Sequence, residues 1–233
     1  GGFDGINITI PHKSDVIELL DEVDAKARLI NAVNCIHRKG NVLTGYNTDM
    51  LGFSHSFRNH GGQIEGNNFA MFGAGGSALA VGAVLAEGGA KSVSIVNRTP
   101  ERSERLKEVI TELNDEVNVK ICDEDALAQS KTKLHCLINT TSLGMHPEVN
   151  FSPVKDLSSI IDDATIVFDL VYNPAQTKLL ADAEKIGAPI VNGIEMLIAQ
   201  AVYSVEIWMG GNVVQHIDMN CLVKELEKIL GHK

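Results

Sequence analysis

Between Asn68 and Gly193 the chain repeats one rhythm. Apolar runs rich in β-branched residues, NFAMFG, SVSIVNR, VNVKIC, LHCLINTT, TIVFDLVY and APIVNG, are separated for the most part by amphipathic stretches. Strands that alternate with helices predict an α/β architecture with a doubly wound parallel sheet, here assigned to residues 51–193. The flanks read differently. At the start, Ile6, Ile8 and Ile10 alternate with Asn7 and Thr9, the period of a half-buried strand, and Pro11 removes a backbone donor and ends the ladder. Lys13 is then expected at a strand exit, ahead of a helix at SDVIELLDE. The pair AVNCIHR and NVLTGYN follows, and from about residue 194 the pattern gives two helices, the last of them, LVKELEKILGHK, an amphipathic surface helix. Both ends of the chain are thus predicted to build one smaller, discontinuous α/β domain from residues 1–50 and 194–233.

Composition narrows the partners. With 233 residues, 44% of them hydrophobic, 21 Gly and 6 Pro, the chain suits a globular protein of one large or two modest domains. A net charge of -10 argues against nucleic acid and acidic membrane surfaces, because tracking phosphates needs a basic field. Any anion site must therefore be local. Cys35, Cys122, Cys136 and Cys221 lie far apart, without the paired spacing of a zinc site or disulfide framework, and a reducing cytoplasm is the expected compartment. His12, His55, His60 and His146 show no ligand spacing, so no metal is expected. No apolar run approaches the roughly 20 residues that span a bilayer.

The strongest local signal is MFGAGGSALA, Met71 to Ala80. A strand ending at Phe72 is followed by Gly73, Ala74, Gly75 and Gly76, and a helix starts around Ser77. Small residues let a backbone approach a pyrophosphate, while a helix N-terminus offers free N–H groups and positive dipole. The spacing departs from the full G-x-G-x-x-G, and a tight strand-to-helix turn is the plain alternative. The next strand ends in NRTPER. Where an NAD enzyme presents an acid to the ribose 2′-hydroxyl, this chain has Asn97, Arg98, Thr99 and Arg102, a set suited to a 2′-phosphate. The alternative here is the ordinary basic first turn of a surface helix, paired with Glu101, Glu104 and Glu108.

Three segments in the flank carry polar groups: NITIPHK (Asn7–Lys13), NAVN (Asn31–Asn34) and GYNTD (Gly45–Asp49). With GAGGS, NRT, NTTSLGM (Asn139–Met145), DLVYNPAQT (Asp169–Thr177) and NGIEMLIAQA (Asn192–Ala201), their order and spacing resemble the shikimate dehydrogenase family, quinate/shikimate members included, through nearly the whole chain. The resemblance implies a Rossmann cofactor domain, NADP as cofactor with NAD possible, and reversible reduction of 3-dehydroshikimate to shikimate in aromatic amino-acid biosynthesis. It implies that Lys13 and Asp49 flank the hydroxyl that is oxidised, where a lysine ammonium can donate a proton or stabilise charge. It further implies that Thr9, Asn34, Asp49 and Gln200 bind substrate hydroxyls, that Tyr172 lies near the substrate carboxylate, and that Thr140, Ser142, Gly193 and Met196 line the nicotinamide. The expected partners are small molecules, with the protein a monomer or homodimer. Taken singly, Asn31 and Asn34 could equally turn or cap backbone, and Asp49 could be the N-cap of a helix through Met50 and Phe57. An NAD-using quinate/shikimate enzyme and a catalytically silent nucleotide-binding module stay open.

One departure stands out. The family's pattern begins with a strand and a serine-bearing loop, S-x-S-P-x-x-H-N, that binds the substrate carboxylate, and no such segment precedes Gly1. SHSFRNH, Ser54 to His60, imitates its lettering but falls in a helix. The expectation is a substrate domain truncated at its N-terminus, with sheet surface left uncovered.

Overall fold

The computed structural model describes residues 3–9 and 11–231, and two sheets share the chain. The first is built from β1 (Gly5–Asn7), β2 (Glu22–Val23), β3 (Cys35–Lys39) and β4 (Val42–Tyr46), with the short helix α1 (Ala25–Leu29) before β3 and the order β1-β3-β4-β2. Asp24 starts α1, its carboxylate accepting from the backbone N–H of Lys26 and Ala27. β3 and β4 form an antiparallel hairpin, β1 pairs with β3 antiparallel, and β2 joins β4 in parallel.

Two expectations for this region are corrected. The alternation at the start yields a three-residue edge strand only; Ile6 is 45% exposed, Ile8 joins a small cluster with Ala27, Val33 and Ile36, and Ile10 lies outside the described residues. The segment SDVIELLDE is not a full helix: a 3-10 turn covers Asp15–Leu19 and the chain then extends. Pairing decides this, since Asp21 N donates to Leu43 O at 3.1 Å and Asp24 N to Gly45 O at 2.9 Å, while Leu20 and Val23 pack into the same cluster. Tertiary partners thus outweigh a local helical period.

The connecting helix α2 (Asp49–Asn59) leads to β5 (Asn68–Phe72), α3 (Gly76–Glu87), β6 (Ser92–Val96), α4 (Pro100–Leu113), β7 (Asn118–Ile121), α5 (Glu124–Gln129), β8 (Cys136–Asn139), β9 (Ile166–Asp169), α6 (Lys178–Ile186) and β10 (Ile190–Val191). Each of the six apolar runs holds one strand, all pairs are parallel, and the order is β10-β9-β8-β5-β6-β7. Helices cover both faces: Leu137, Val167, Leu179 and Leu180 pack on one side, and Phe53, Phe57, Phe69 and Phe168 on the other. The rings of Phe53 and Phe57 lie 5.4 Å apart, and Phe53 meets Phe168 at 5.2 Å. Removing a fully buried ring of this kind costs about 3–5 kcal/mol.

The chain closes with α7 (Ile194–Met209) and α8 (Met219–Ile229). α7 runs along α2, close enough that a side chain at Gly52 would meet the Met196 carbonyl, and its far end returns to the first sheet, where Trp208 Nε1 donates to Ile36 O at 3.0 Å. SHSFRNH falls on α2 and the residue after it. Among the described residues no helix is long and apolar enough to cross a membrane.

Candidate active site

Lys13 sits on the turn after β1, and that turn is anchored from behind: Val33 N donates to Lys13 O at 2.8 Å, and Ser14 Oγ to Asn31 O at 2.8 Å. Asn31 takes a left-handed backbone, φ 51°, and so serves a turn. Fixed there, Lys13 Nζ meets Asp49 Oδ2 at 2.5 Å, with the two side chains only 14% and 8% exposed. Asp49 is the first residue of α2 and not its N-cap, the position Thr48 occupies. Its carboxylate is thereby free to face Lys13 while still enjoying the positive helix end.

Asn34 orients that carboxylate. Its Oδ1 accepts from Thr48 N at 2.7 Å, which leaves Nδ2 to donate to Asp49 Oδ1 at 2.8 Å and to approach Gln200 Oε1 at 3.2 Å. Behind it lies Ser204, which donates to Gln200 O at 2.9 Å, accepts from Asn7 Nδ2 at 2.9 Å and meets Thr48 Oγ1 at 3.1 Å. Thr48 and Ser204 are fully buried. Buried hydroxyls with every partner in place rigidify a site, and this chain of groups ties β1, α2 and α7 to the Lys13–Asp49 pair. Asn7, Thr48 and Ser204 were not singled out from the sequence. Ser204 lies one helical turn after Gln200, and that i, i+4 spacing is the signal that could have found it.

These groups open on a cavity of ≈ 330 Å³. Thr9, Lys13, Asn34, Asp49, Tyr172 and Gln200 line it together with Ser77, Thr140, Ser142, Gly193 and Met196. The structure therefore brings every expected substrate-side residue together with the expected nicotinamide side. A second cavity, ≈ 550 Å³, lies over the carboxyl ends of β5 and β6 and is lined by Gly73, Asn97, Arg98 and Ser142 among others. Ala74, Gly75 and Gly76 form the turn at its edge, Gly75 being the N-cap of α3. Thr99 and Arg102 are exposed at the start of α4, outside the cavity lining. Asp123 and Glu124, which the sequence reading passed over, face the same cavity as Arg98.

The glycine turn fits a dinucleotide. Gly73 has φ +106°, and a Cβ there would come within 2.5 Å of Thr140 Oγ1, so only glycine lets the turn lie this close to the loop after β8. Gly75 has nothing near the place of its absent Cβ, which leaves its backbone open to a pyrophosphate at the start of α3.

Two acids outside the Lys13 network shape the surroundings. Asp169, at the end of β9, is fully buried, and burial raises its carboxyl to about 6 against the opposing pull of hydrogen bonds from Thr177, Val171 and Asn139. Glu195, in the first turn of α7, is pushed up by burial, but His60 and Asn59 outweigh this and hold it below the usual range. His60 Nδ1 lies 3.1 Å and His55 Nε2 3.8 Å from its carboxylate. Among the described residues no three His, Cys, Asp or Glu side chains group as a metal site.

A glycine turn at the carboxyl edge of a doubly wound sheet, beside two cavities that share Thr141 and Ser142 and of which one holds a lysine–carboxylate pair, is the layout of a dinucleotide-dependent oxidoreductase. Comparison with known proteins narrows that class. The family description "shikimate dehydrogenase substrate binding domain" matches residues 1–36. Shikimate dehydrogenase (NADP(+)) of Caldicellulosiruptor saccharolyticus is 38% identical over 224 residues, covering 96% of this chain and 78% of that protein. Among solved structures, shikimate 5-dehydrogenase of Listeria monocytogenes, in complex with shikimate and NAD, superposes with a TM-score of 0.84 at 28% identity, over 96% of this chain and 77% of the other. Quinate dehydrogenase of Corynebacterium glutamicum, in complex with NAD, gives 0.81 at 29% identity, over 92% and 76%. The chain belongs to the shikimate dehydrogenase family.

Proposed function

We propose that the protein is an NADP-dependent oxidoreductase that interconverts 3-dehydroshikimate and shikimate, with residues 1–50 and 194–233 holding the substrate and 51–193 the cofactor. The observation that carries this reading is the Lys13–Asp49 pair at 2.5 Å, set with Asn34 and Gln200 in one cavity with Thr140, Ser142 and Met196. NADP, when bound, accepts or supplies the hydride. Gly73, Ala74, Gly75, Gly76 and Ser77 suit its pyrophosphate, and Asn97, Arg98, Thr99 and Arg102 its 2′-phosphate.

Lys13 Nζ is the proton carrier. In the reducing direction its ammonium donates to the oxygen that develops negative charge, and in the oxidising direction the amine takes the hydroxyl proton back. Asp49, held by Asn34, keeps Nζ pointed at one place. Thr9, Asn34, Asp49 and Gln200 hydrogen-bond the ring hydroxyls, and Tyr172 stands near the carboxylate. The NAD complexes of two relatives give a second reading some support, that of an NAD-using quinate/shikimate enzyme. The cytoplasm is the proposed compartment, with a monomer or homodimer as the working form. Spectrophotometry with shikimate and with quinate, each with NADP and with NAD, tests the assignment: the shikimate and NADP pair should give the highest kcat/KM. Absence of turnover with all four pairs would leave only the silent nucleotide-binding module.

A further inference from the structure

The end of β9 holds a charged group that the proposed chemistry does not use. Asp169 is fully buried, and its hydrogen-bond donors are neutral: Asn139 Nδ2 at 2.8 Å and Val171 N at 3.0 Å to Oδ1, and Thr177 Oγ1 at 2.6 Å to Oδ2. A buried carboxylate without a cation is costly, so its partners matter. They belong to three separate segments. Asn139 ends β8, directly across the parallel register from Asp169; Val171 lies in the loop after β9; Thr177 is the N-cap of α6.

Asn139 passes the constraint onward. Because its Nδ2 is turned to Asp169, its Oδ1 faces the following loop, where it accepts from Thr141 N at 2.9 Å and Thr141 Oγ1 at 2.7 Å. Nδ2 also reaches Leu143 O at 3.3 Å. The loop so held is the wall between the two cavities: Thr141 and Ser142 line both of them. On the other side of Asp169, Leu170, Val171 and Tyr172 line the smaller cavity.

We propose that Asp169, acting through Asn139 and Thr177, is a positioning residue that sets the wall between the cavities and so fixes the nicotinamide end of the dinucleotide against the substrate. The inference rests on the reading of the preceding subsection, and its chemistry is specific. A neutral asparagine at this position can accept from Asn139 and Val171, but must point its amide N–H at Thr177 Oγ1, leaving the Thr177 hydroxyl proton without its acceptor. Alanine orphans all three donors.

Calorimetry on the full chain with two probes tests this. On the reading of the preceding subsection NADP would span both cavities, whereas 2′,5′-ADP carries only the adenosine end. In Asp169→Ala the dissociation constant for NADP should rise about tenfold or more, with that for 2′,5′-ADP within about twofold of wild type. Asp169→Asn should fall between the two. Should Asp169→Ala fail to fold, Thr177→Val gives the same pattern more weakly, and Thr177→Ser, which keeps the hydroxyl, recovers NADP affinity. Equal weakening of both probes would mean general loosening and overturn the proposal, as would wild-type NADP affinity in a folded Asp169→Ala or Thr177→Val. Failure of the underlying reading looks different: the wild-type chain itself would bind neither probe, and the proposal would fall with it.

Discussion

Asp49 and Asp169 are both buried carboxylates within reach of one cavity, yet they are built for different tasks. Asp49 has a cation at 2.5 Å and opens on the cavity; Asp169 has only neutral donors and is sealed behind the walls. A carboxylate that opens on a cavity can meet an arriving ligand, whereas one locked by backbone and side-chain donors cannot move without breaking them. On the proposed function the first region serves proton chemistry and the second geometry. The supporting sheets differ in the same sense. Lys13 follows a short edge strand beside a small apolar cluster, while Asp169 ends an interior strand of a sheet covered on both faces.

The largest effect that would break this comparison comes from the cation. Lys13→Ala should lower kcat by about 10²–10⁴-fold while leaving the NADP dissociation constant near wild type, because the lost interaction acts on the transition state. Stopped-flow turnover and calorimetry check the split, and unchanged turnover in the folded variant would remove Lys13 from the chemistry.

The second prediction turns on Asp169 alone. Burial raises its folded-state pKa to about 6 from 3.8, so the folded state holds this proton more tightly than the unfolded chain. Its contribution to stability is fully present below about pH 4 and is lost as pH rises through about 6. Asparagine does not titrate. Wild type should therefore gain stability relative to Asp169→Asn as pH falls from 8 to 4, by up to about 3 kcal/mol at ~1.4 kcal/mol per unit. Urea unfolding of both proteins at each pH measures it, and a difference that stays flat with pH would contradict the buried charge.

A smaller effect concerns the far cavity. Arg98→Ala should weaken NADP by about 1.5–3 kcal/mol, the range for hydrogen bonds to charged groups, with NAD nearly unaffected. Rising salt should narrow the wild-type preference for NADP, since contacts at an exposed site are screened. Equal binding of both cofactors by wild type would favour the NAD-using alternative. The smallest effect sharpens the substrate side. Ser204→Ala should cost about 1 kcal/mol, roughly fivefold in kcat/KM for substrate, with cofactor binding unchanged; an effect on NADP affinity instead would detach Ser204 from the Asn34 network.

What the amino-acid order determined by itself was the six-stranded parallel sheet, its glycine turn and the strand-end motifs, because each is written in contiguous residues. An apolar run flanked by helical period, or Gly73 to Gly76 between a strand and a helix, carries its physical reason locally. The start of the chain was misread for the converse reason. SDVIELLDE has helical lettering, but β4 offered Glu22 and Val23 a strand partner, and Ile6 lies on an edge strand where alternation does not ensure burial. Asp49 likewise had the look of an N-cap until Thr48 was seen to occupy that position and Asn34, fifteen residues earlier, to hold its carboxylate. Only the tertiary structure could bring Lys13, Asn34, Asp49 and Gln200 to one cavity, or set Asn139 across from Asp169. Hydrogen bonds between groups 15 to 197 residues apart, as from Asn34 to Asp49 and from Asn7 to Ser204, leave no periodic trace in the chain, since the pairing depends on how sheets and helices pack and not on spacing along the backbone.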